Sequence, residues 1–234
     1  MSTHSTDKND ITHHESITMP DERVHAHNQM PIHAAQAAQM AAGVDPAPLG
    51  LGAFGCTALI LGMINSGQVD LFPSVAVGVT LGYGAIAQLI AGLLEFRRGN
   101  TFAATSFCSY ACFYFSYGIM LMPSSGFAAA SEAAGPVAAS TASGAFQLPW
   151  ATFSLIMFIA TLKQPIIMRV FLGFIFLTFF LGTLGGFLLN PALTKASGWV
   201  SILLSMTAYY GTAALLYNKE ITYFTLPIGA PKHE

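Results

Sequence analysis

Charge is the first thing this sequence lacks. Only 9% of its 234 residues are Asp, Glu, Lys or Arg and 53% are hydrophobic, whereas an ordinary soluble domain is about one quarter charged. A bilayer is the solvent that suits such a composition. Cysteine is scarce too: Cys56, Cys108 and Cys112 all fall inside apolar runs. They form no disulfide framework and have no Cys/His spacing for zinc, so they read as small, soft packing residues. The nine Lys and Arg are dispersed and the formal net charge is −2, which excludes a basic surface for nucleic acid. No Lys, Arg or His lies deep in an apolar run, and no Asp/Glu pair is placed there for a proton relay. That absence argues against a catalytic centre and against an axially ligated haem, so the chain reads as a non-enzyme. No metal site and no cofactor are expected. The opening MSTHSTDKND lacks the apolar core of a secretory signal, so the N-terminal segment is expected to be retained and the first apolar run to direct insertion.

What the sequence does have is apolar length. A spanning helix needs ~20 predominantly apolar residues, and six runs qualify: 49–69, 71–94, 101–122, 146–162, 166–189 and 199–217. The expected fold is an all-α integral membrane protein with six transmembrane helices. Lys and Arg stay on the cytoplasmic side. With six spans and the N-terminus inside, Lys8, Arg23, Arg97, Arg98, Lys163, Arg169, Lys219 and Lys232 are cytoplasmic and only Lys195 is outside. One span more or fewer would scatter them, so both termini are expected in the cytoplasm.

Three regions follow. Residues 1–44 are polar and read as a disordered cytoplasmic tail, with a short helix over the alanine-rich HAAQAAQMAAG as its alternative ending. It carries His4, His13, His14, His25, His27 and His33. A histidine tract can bind metal or sense pH, but no carboxylate or cysteine pattern accompanies these to fix a geometry, so the tail reads as solvated. Residues 45–229 form the membrane domain and 230–234 a short C-terminal tail. Pro123 to Pro149 is rich in small residues and reads as an external linker, either a plain loop or a cover over the outer mouth.

Several stretches carry both a structural and a functional reading. In DPAPLGL, residues 45–51, proline is tolerated in the first helical turn and Asp is a good N-cap. Helix N-termini also bind anions, but composition alone favours the capping role. GLLEFRRGNTF, residues 92–102, is a short cytoplasmic hairpin that places Glu95, Asn100 and Thr101 at the inner mouth. Gln88, Gly92 and Glu95 share one helix face, and a buried amide needs partners. Lining a path and tying two helices together are equally open for Gln88. The third run has a stripe of hydroxyls at Ser106, Tyr110, Tyr114 and Tyr117, of which Tyr110 and Tyr114 sit well inside and face protein or a cavity. The sixth has Ser201, Ser205, Ala208 and Thr212 on one strip, which suits tight packing as well as a pore wall. Gly78 and Gly82, and Gly182 and Gly186, form G-x-x-x-G pairs that argue for close helix contacts. NPAL at 190–193 is most simply a turn between helices. Weakly polar holes in an apolar bundle favour passage of small solutes.

These stretches resemble the acetate uptake transporter family, which includes the YaaH-type acetate/succinate permeases. Its signature, N-P-A-P-L-G-L, stands here as Asp45-Pro46-Ala47-Pro48-Leu49-Gly50-Leu51, followed by Phe54. AIAQLIAGLLEFRRGNTFAATSFCSY at 85–110, TLK at 161–163, GW at 198–199 and LPIG at 226–229 follow in order. The resemblance implies six helices per protomer, a hexamer, and one substrate path within each protomer. Its constriction would fall on Phe54, Tyr110 and Ile175 and a selectivity position on Ala208, while Gln88, Tyr114 and Ser205 are further path candidates. Two departures stand out: Asp45 replaces the leading Asn, and the external segment after the third run is longer than usual. The function so implied is transport of acetate and related short carboxylates, with succinate and protons as candidate partners, across the plasma membrane. An ammonia or ammonium pathway and a non-transporting acetate sensor are the rival readings.

Overall fold

Proline stands at the start of five of the six long helices in the computed structural model, which describes residues 44–229. At that position its fixed φ suits the helix and the N–H it lacks would have no partner. The helices are α1 (Ala47–Ser66), α2 (Pro73–Arg97), α3 (Thr101–Leu121), the short α4 (Phe127–Ala134), α5 (Pro136–Ala160), α6 (Ile166–Phe187) and α7 (Pro191–Leu216). No strand occurs among the described residues. The exception to the proline rule, α3, is capped by Asn100, whose Oδ1 accepts from the Ala103 N–H at 3.2 Å. Left-handed glycines make the sharp turns: Gly67 (φ 67°) ends α1, and Gly99 (φ 74°) lies between α2 and α3.

Five of these helices are long and apolar enough to cross a membrane; α3, at 21 residues, has the length but falls short in hydropathy. Its hydroxyl stripe is the reason, and the fold accommodates it by burying Ser106, Tyr110 and Tyr114 among the other helices. The outside is apolar instead. Ile86, Leu89, Ile90 and Leu93 of α2 and Ile156 and Ile159 of α5 are exposed, while Thr57, Gln88, Glu95, Ser154, Ser201 and Ser205 are buried. An apolar surface around a partly polar interior is what a bilayer demands.

Three expectations are corrected here. The segment 123–149 is not a loop, because α4 and the first fourteen residues of α5 run through it, with only a 3-10 turn at Pro123–Ser125 and the glycines Gly126 and Gly135 interrupting. Alanine-rich sequence is strongly helical but not apolar enough to register as a span. Pro149 lies inside α5 rather than at its start. Likewise α7 begins at Pro191, eight residues before the expected Trp199. Of the two glycine pairs, only one makes the expected contact. A Cβ at Gly186 would meet the Gly144 backbone at 2.5–2.6 Å and the Ser140 carbonyl at 2.7 Å, so α5 and α6 touch closely there, whereas Gly78 and Gly82 have nothing within 4 Å. The histidine tract and HAAQAAQMAAG lie outside the described residues.

The helices alternate in direction. Asp45 at the start of α1 pairs with Arg98 after α2, and the Ile166 N–H donates to the Gly229 carbonyl; these mark one end of the bundle. At the other, Ser74 donates to the Leu121 carbonyl and Ser140 to the Gly186 carbonyl. Close approach on small residues joins α1 to α7: Ser201 donates to the Ala58 carbonyl at 2.9 Å and Ser205 to the Gly55 carbonyl at 2.8 Å. Within α2, residues Thr80–Ala87 form a π-helix, a wide turn often found at functional sites. Its Gly84 lets Thr57 of α1 and Tyr114 of α3 approach, since a Cβ there would meet them at 2.6 and 3.0 Å.

Candidate functional site: two cavities and the layer between them

A cavity of about 330 Å³ opens at the Asp45 end. Its mouth is polar, with Asp45, Glu95, Arg98, Asn100 and Gln164, and its inner wall is apolar, with Leu51, Phe107, Phe171 and Leu172. Asp45 does two things here. Its Oδ1 accepts from the Ala47 N–H at 3.1 Å, which satisfies one donor at the start of α1, and it lies 3.5 Å from the Arg98 guanidinium. The N-cap position of α1 itself is held by Pro46, so Asp45 serves the first helical N–H from one residue further out, and its charge is matched. Pro46 and Pro48 are buried, the Pro46 carbonyl accepts from Gly50, and a Cβ at Gly50 would meet the Phe107 ring at 2.7 Å. The motif thus builds the seat of α1 against α3. Ala47 and Leu51 reach the cavity wall and Leu49 faces outward. Glu95 is only 1% exposed; Asn100 hydrogen-bonds its carboxyl while Oε2 has no partner. Thr101 is exposed and stands outside the wall.

A second cavity, about 80 Å³, lies toward the opposite end. Phe54, Phe113, Tyr114 and Phe179 form its apolar part; Asn65, Gln147, Thr178 and Ser201 are among its polar lining. No charged residue lines it. It shares Asn65 and Thr194 with an open groove that carries Lys195.

Four helices contribute to both cavities, and on three of them one expected residue lies between the contributions. On α3, Phe107 lines the first and Phe113 the second, and Tyr110 lies between; on α6, Phe171 and Thr178 flank Ile175; on α7, Gly211 and Leu204 flank Ala208. On α1, Leu51 lines the first cavity and Phe54 closes the second. Phe54, Tyr110, Ile175 and Ala208 are all at most 3% exposed. Edge-to-face contacts hold the layer together: Phe54 lies 5.5 Å from Tyr110, 5.4 Å from Tyr114 and 5.1 Å from Phe171, centroid to centroid. Phe153 stands 5.5 Å from Tyr110 on its other side.

The remaining expected residues divide. Tyr114 lines the smaller cavity and donates to the Phe54 carbonyl at 3.4 Å. Ser205 stands in neither wall and spends its hydroxyl on α1. Gln88 is fully buried, outside both walls, and neither its Oε1 nor its Nε2 has a partner. Sequence reasoning missed Phe171, Leu172 and Ser154. Phe171 is one turn before Ile175 on the same face, and Ser154 is an isolated hydroxyl in an apolar stretch, so both left a local signal. Among the described residues, no group of three His, Cys, Asp or Glu could hold a metal ion, and the three cysteines are free.

The chain is 34% identical over 197 residues to acetate permease A of Emericella nidulans, covering 79% of this chain and 65% of the permease. It is 33% identical over 186 residues to the succinate-acetate/proton symporter SatP of Escherichia coli K12, covering 79% of this chain and 95% of SatP. The solved structure of the bacterial acetate channel SatP superposes with a TM-score of 0.70 at 33% identity, over 80% of this chain and 99% of the channel. The model of the GPR1/FUN34/yaaH family matches residues 27–230, and the chain belongs to that family.

Proposed function

We propose that the protein moves acetate and related short carboxylates across a membrane, along the line of the two cavities and through the layer between them. The observation that carries this reading is the pair of cavities: they approach from opposite ends, on the same four helices, and only side chains of Phe54, Tyr110, Ile175 and their neighbours part them. The names of the relatives, acetate permease, succinate-acetate/proton symporter and acetate channel, support the substrate class. In this reading α3 is the sixth span, with Ser106, Tyr110 and Tyr114 turned to its neighbours and Phe115 and Ile119 turned outward. The Asp45 end with Arg98 and Lys163 faces the cytoplasm of a plasma-membrane protein, both termini lie there, and protomers assemble as a hexamer.

The layer also bears on what form of the acid crosses. Desolvating a carboxylate costs several kcal/mol, and no cation stands in the layer to offset that cost. The proposed cargo at the layer is therefore the neutral acid, with hydroxyls and amides of the cavities accepting and donating on either side. A carboxyl group of pKa near ~4.3 is neutral in only about one molecule in 500 at pH 7, and its neutral fraction rises roughly eighty-fold at pH 5. Labelled-acetate uptake into proteoliposomes is therefore expected to accelerate steeply as external pH falls at constant total acetate. Uptake indifferent to pH would mean that the anion crosses. Competition by methylammonium would favour the ammonium reading, and binding without flux the sensor.

The Asp45 departure from the family signature is structural on this account. Asparagine at this position still offers an oxygen to the Ala47 N–H, and the half-exposed ion pair with Arg98 contributes only about 0–1 kcal/mol. Asp45→Asn is expected to shift the thermal unfolding midpoint in detergent by less than about 4 °C. A larger shift would show that the pair holds the inner mouth together.

A further inference from the structure

Between the two cavities one contact of Tyr110 differs in kind from the others. Its hydroxyl lies 2.9 Å from Ser154 Oγ, with Tyr110 1% and Ser154 0% exposed. Ser154 belongs to α5, whose Ser143 and Gln147 line the smaller cavity and whose following residues Gln164 and Pro165 line the larger. It therefore stands at the level of the layer. The other partners of the ring, Phe54 and Phe153, hold it by edge contacts, which lack the single defined geometry of a hydrogen bond. A solute crossing the layer has to displace a ring, and the Tyr110 ring cannot swing without releasing Ser154.

We propose that Ser154 is a positioning residue that latches Tyr110 in the closed layer, so that the Tyr110–Ser154 hydrogen bond sets the fraction of time the path is open. This rests on the transport reading. Ser154 touches no solute and acts only through Tyr110. The two ways of removing the bond are not equal. In Tyr110→Phe the Ser154 hydroxyl can turn back to a carbonyl one helical turn earlier, as Thr152 does with Leu148. In Ser154→Ala the Tyr110 hydroxyl is left buried with no partner in the closed state, which disfavours that state further.

The test is the initial rate of labelled-acetate uptake per folded protein in proteoliposomes, for the natural chain, Ser154→Ala, Ser154→Thr, Tyr110→Phe and the Ser154→Ala/Tyr110→Phe double variant. One buried hydrogen bond of ordinary net worth shifts a two-state ratio by about two- to tenfold. Ser154→Ala is expected to raise the maximal rate by that factor with the half-saturating acetate concentration unchanged. Tyr110→Phe should raise it less, the double variant no more than Ser154→Ala alone, and Ser154→Thr should restore the natural rate. A Ser154→Ala rate equal to the natural one, or single effects that multiply in the double variant, would overturn the latch. Should Ser154→Ala fold poorly, Ser154→Cys keeps the size and weakens the bond, and an unchanged rate there is equally fatal. Natural protein that takes up no acetate would instead refute transport itself, and the latch with it.

Discussion

Acetate uptake through the Tyr110→Ala variant should exceed that of the natural chain by at least about tenfold per folded protein, and should lose its discrimination against longer acids. The closed layer owes to the Tyr110 ring its edge contacts with Phe54 and Phe153 and its bond to Ser154. Each aromatic contact contributes about 0.5–1.5 kcal/mol and the hydrogen bond a similar amount, so some 1.5–4.5 kcal/mol of preference for the closed arrangement goes with the side chain. The missing ring also leaves a void where the two cavities nearly meet. The same void destabilises the fold, by roughly 3–5 kcal/mol for a buried aromatic cut to alanine. Rates therefore have to be normalised to monodisperse, folded protein. Uptake of acetate and of succinate by natural and variant protein is the measurement. If both match the natural chain, the resistance to flow lies elsewhere than in this layer.

The second large effect concerns stability rather than flux. Gly198→Val should cost at least about 3 kcal/mol and lower the unfolding midpoint by roughly 6–12 °C, or abolish recovery of folded protein. A Cβ at Gly198 would run into the backbone of Asn65 and Ser66, and no rotamer change relieves a backbone clash. On the facing helix, a Cβ at Gly62 would meet the Gly198 carbonyl at 2.9 Å, so the two helices touch main chain to main chain. Forcing α1 and α7 apart there stretches the nearby Ser201–Ala58 and Ser205–Gly55 hydrogen bonds. It would also tilt Phe54 and Ala208, the contributions of these two helices to the layer. Thermal unfolding in detergent checks the prediction. A variant as stable as the natural chain would mean that α1 and α7 do not need this approach.

Much of this site is legible in the residues once their positions on helices are known. Tyr110 and Tyr114 stand out because hydroxyls deep in an apolar run must face protein or a cavity, and both do. Glu95 stands out because its carboxylate ends the helix face that carries Gln88, and it lines the larger cavity. Other residues mislead for a physical reason. The strip Ser201, Ser205, Ala208 and Thr212 has the same spacing whether it packs or lines, and it is divided here: Ser205 serves the contact with α1, and Ser201 serves both that contact and the smaller cavity. Gly78 and Gly82 have the same motif as Gly182 and Gly186, yet they face outward.

By itself the sequence determined the solvent and the chemistry on offer. Low charge and long apolar runs call for a bilayer, and the scarcity of deep charged groups leaves only hydroxyls, amides and aromatic rings to meet a solute. These properties are local, set by composition and by residues within a turn or two of each other. What the tertiary structure decided is which of those groups meet. The layer depended on distant pairings. Tyr110 and Ser154 are 44 residues apart and Ser205 and Gly55 are 150 apart. Such pairings follow from how helices roll and slide against one another to bury small residues, a choice made by the whole bundle at once and written in no single stretch of chain.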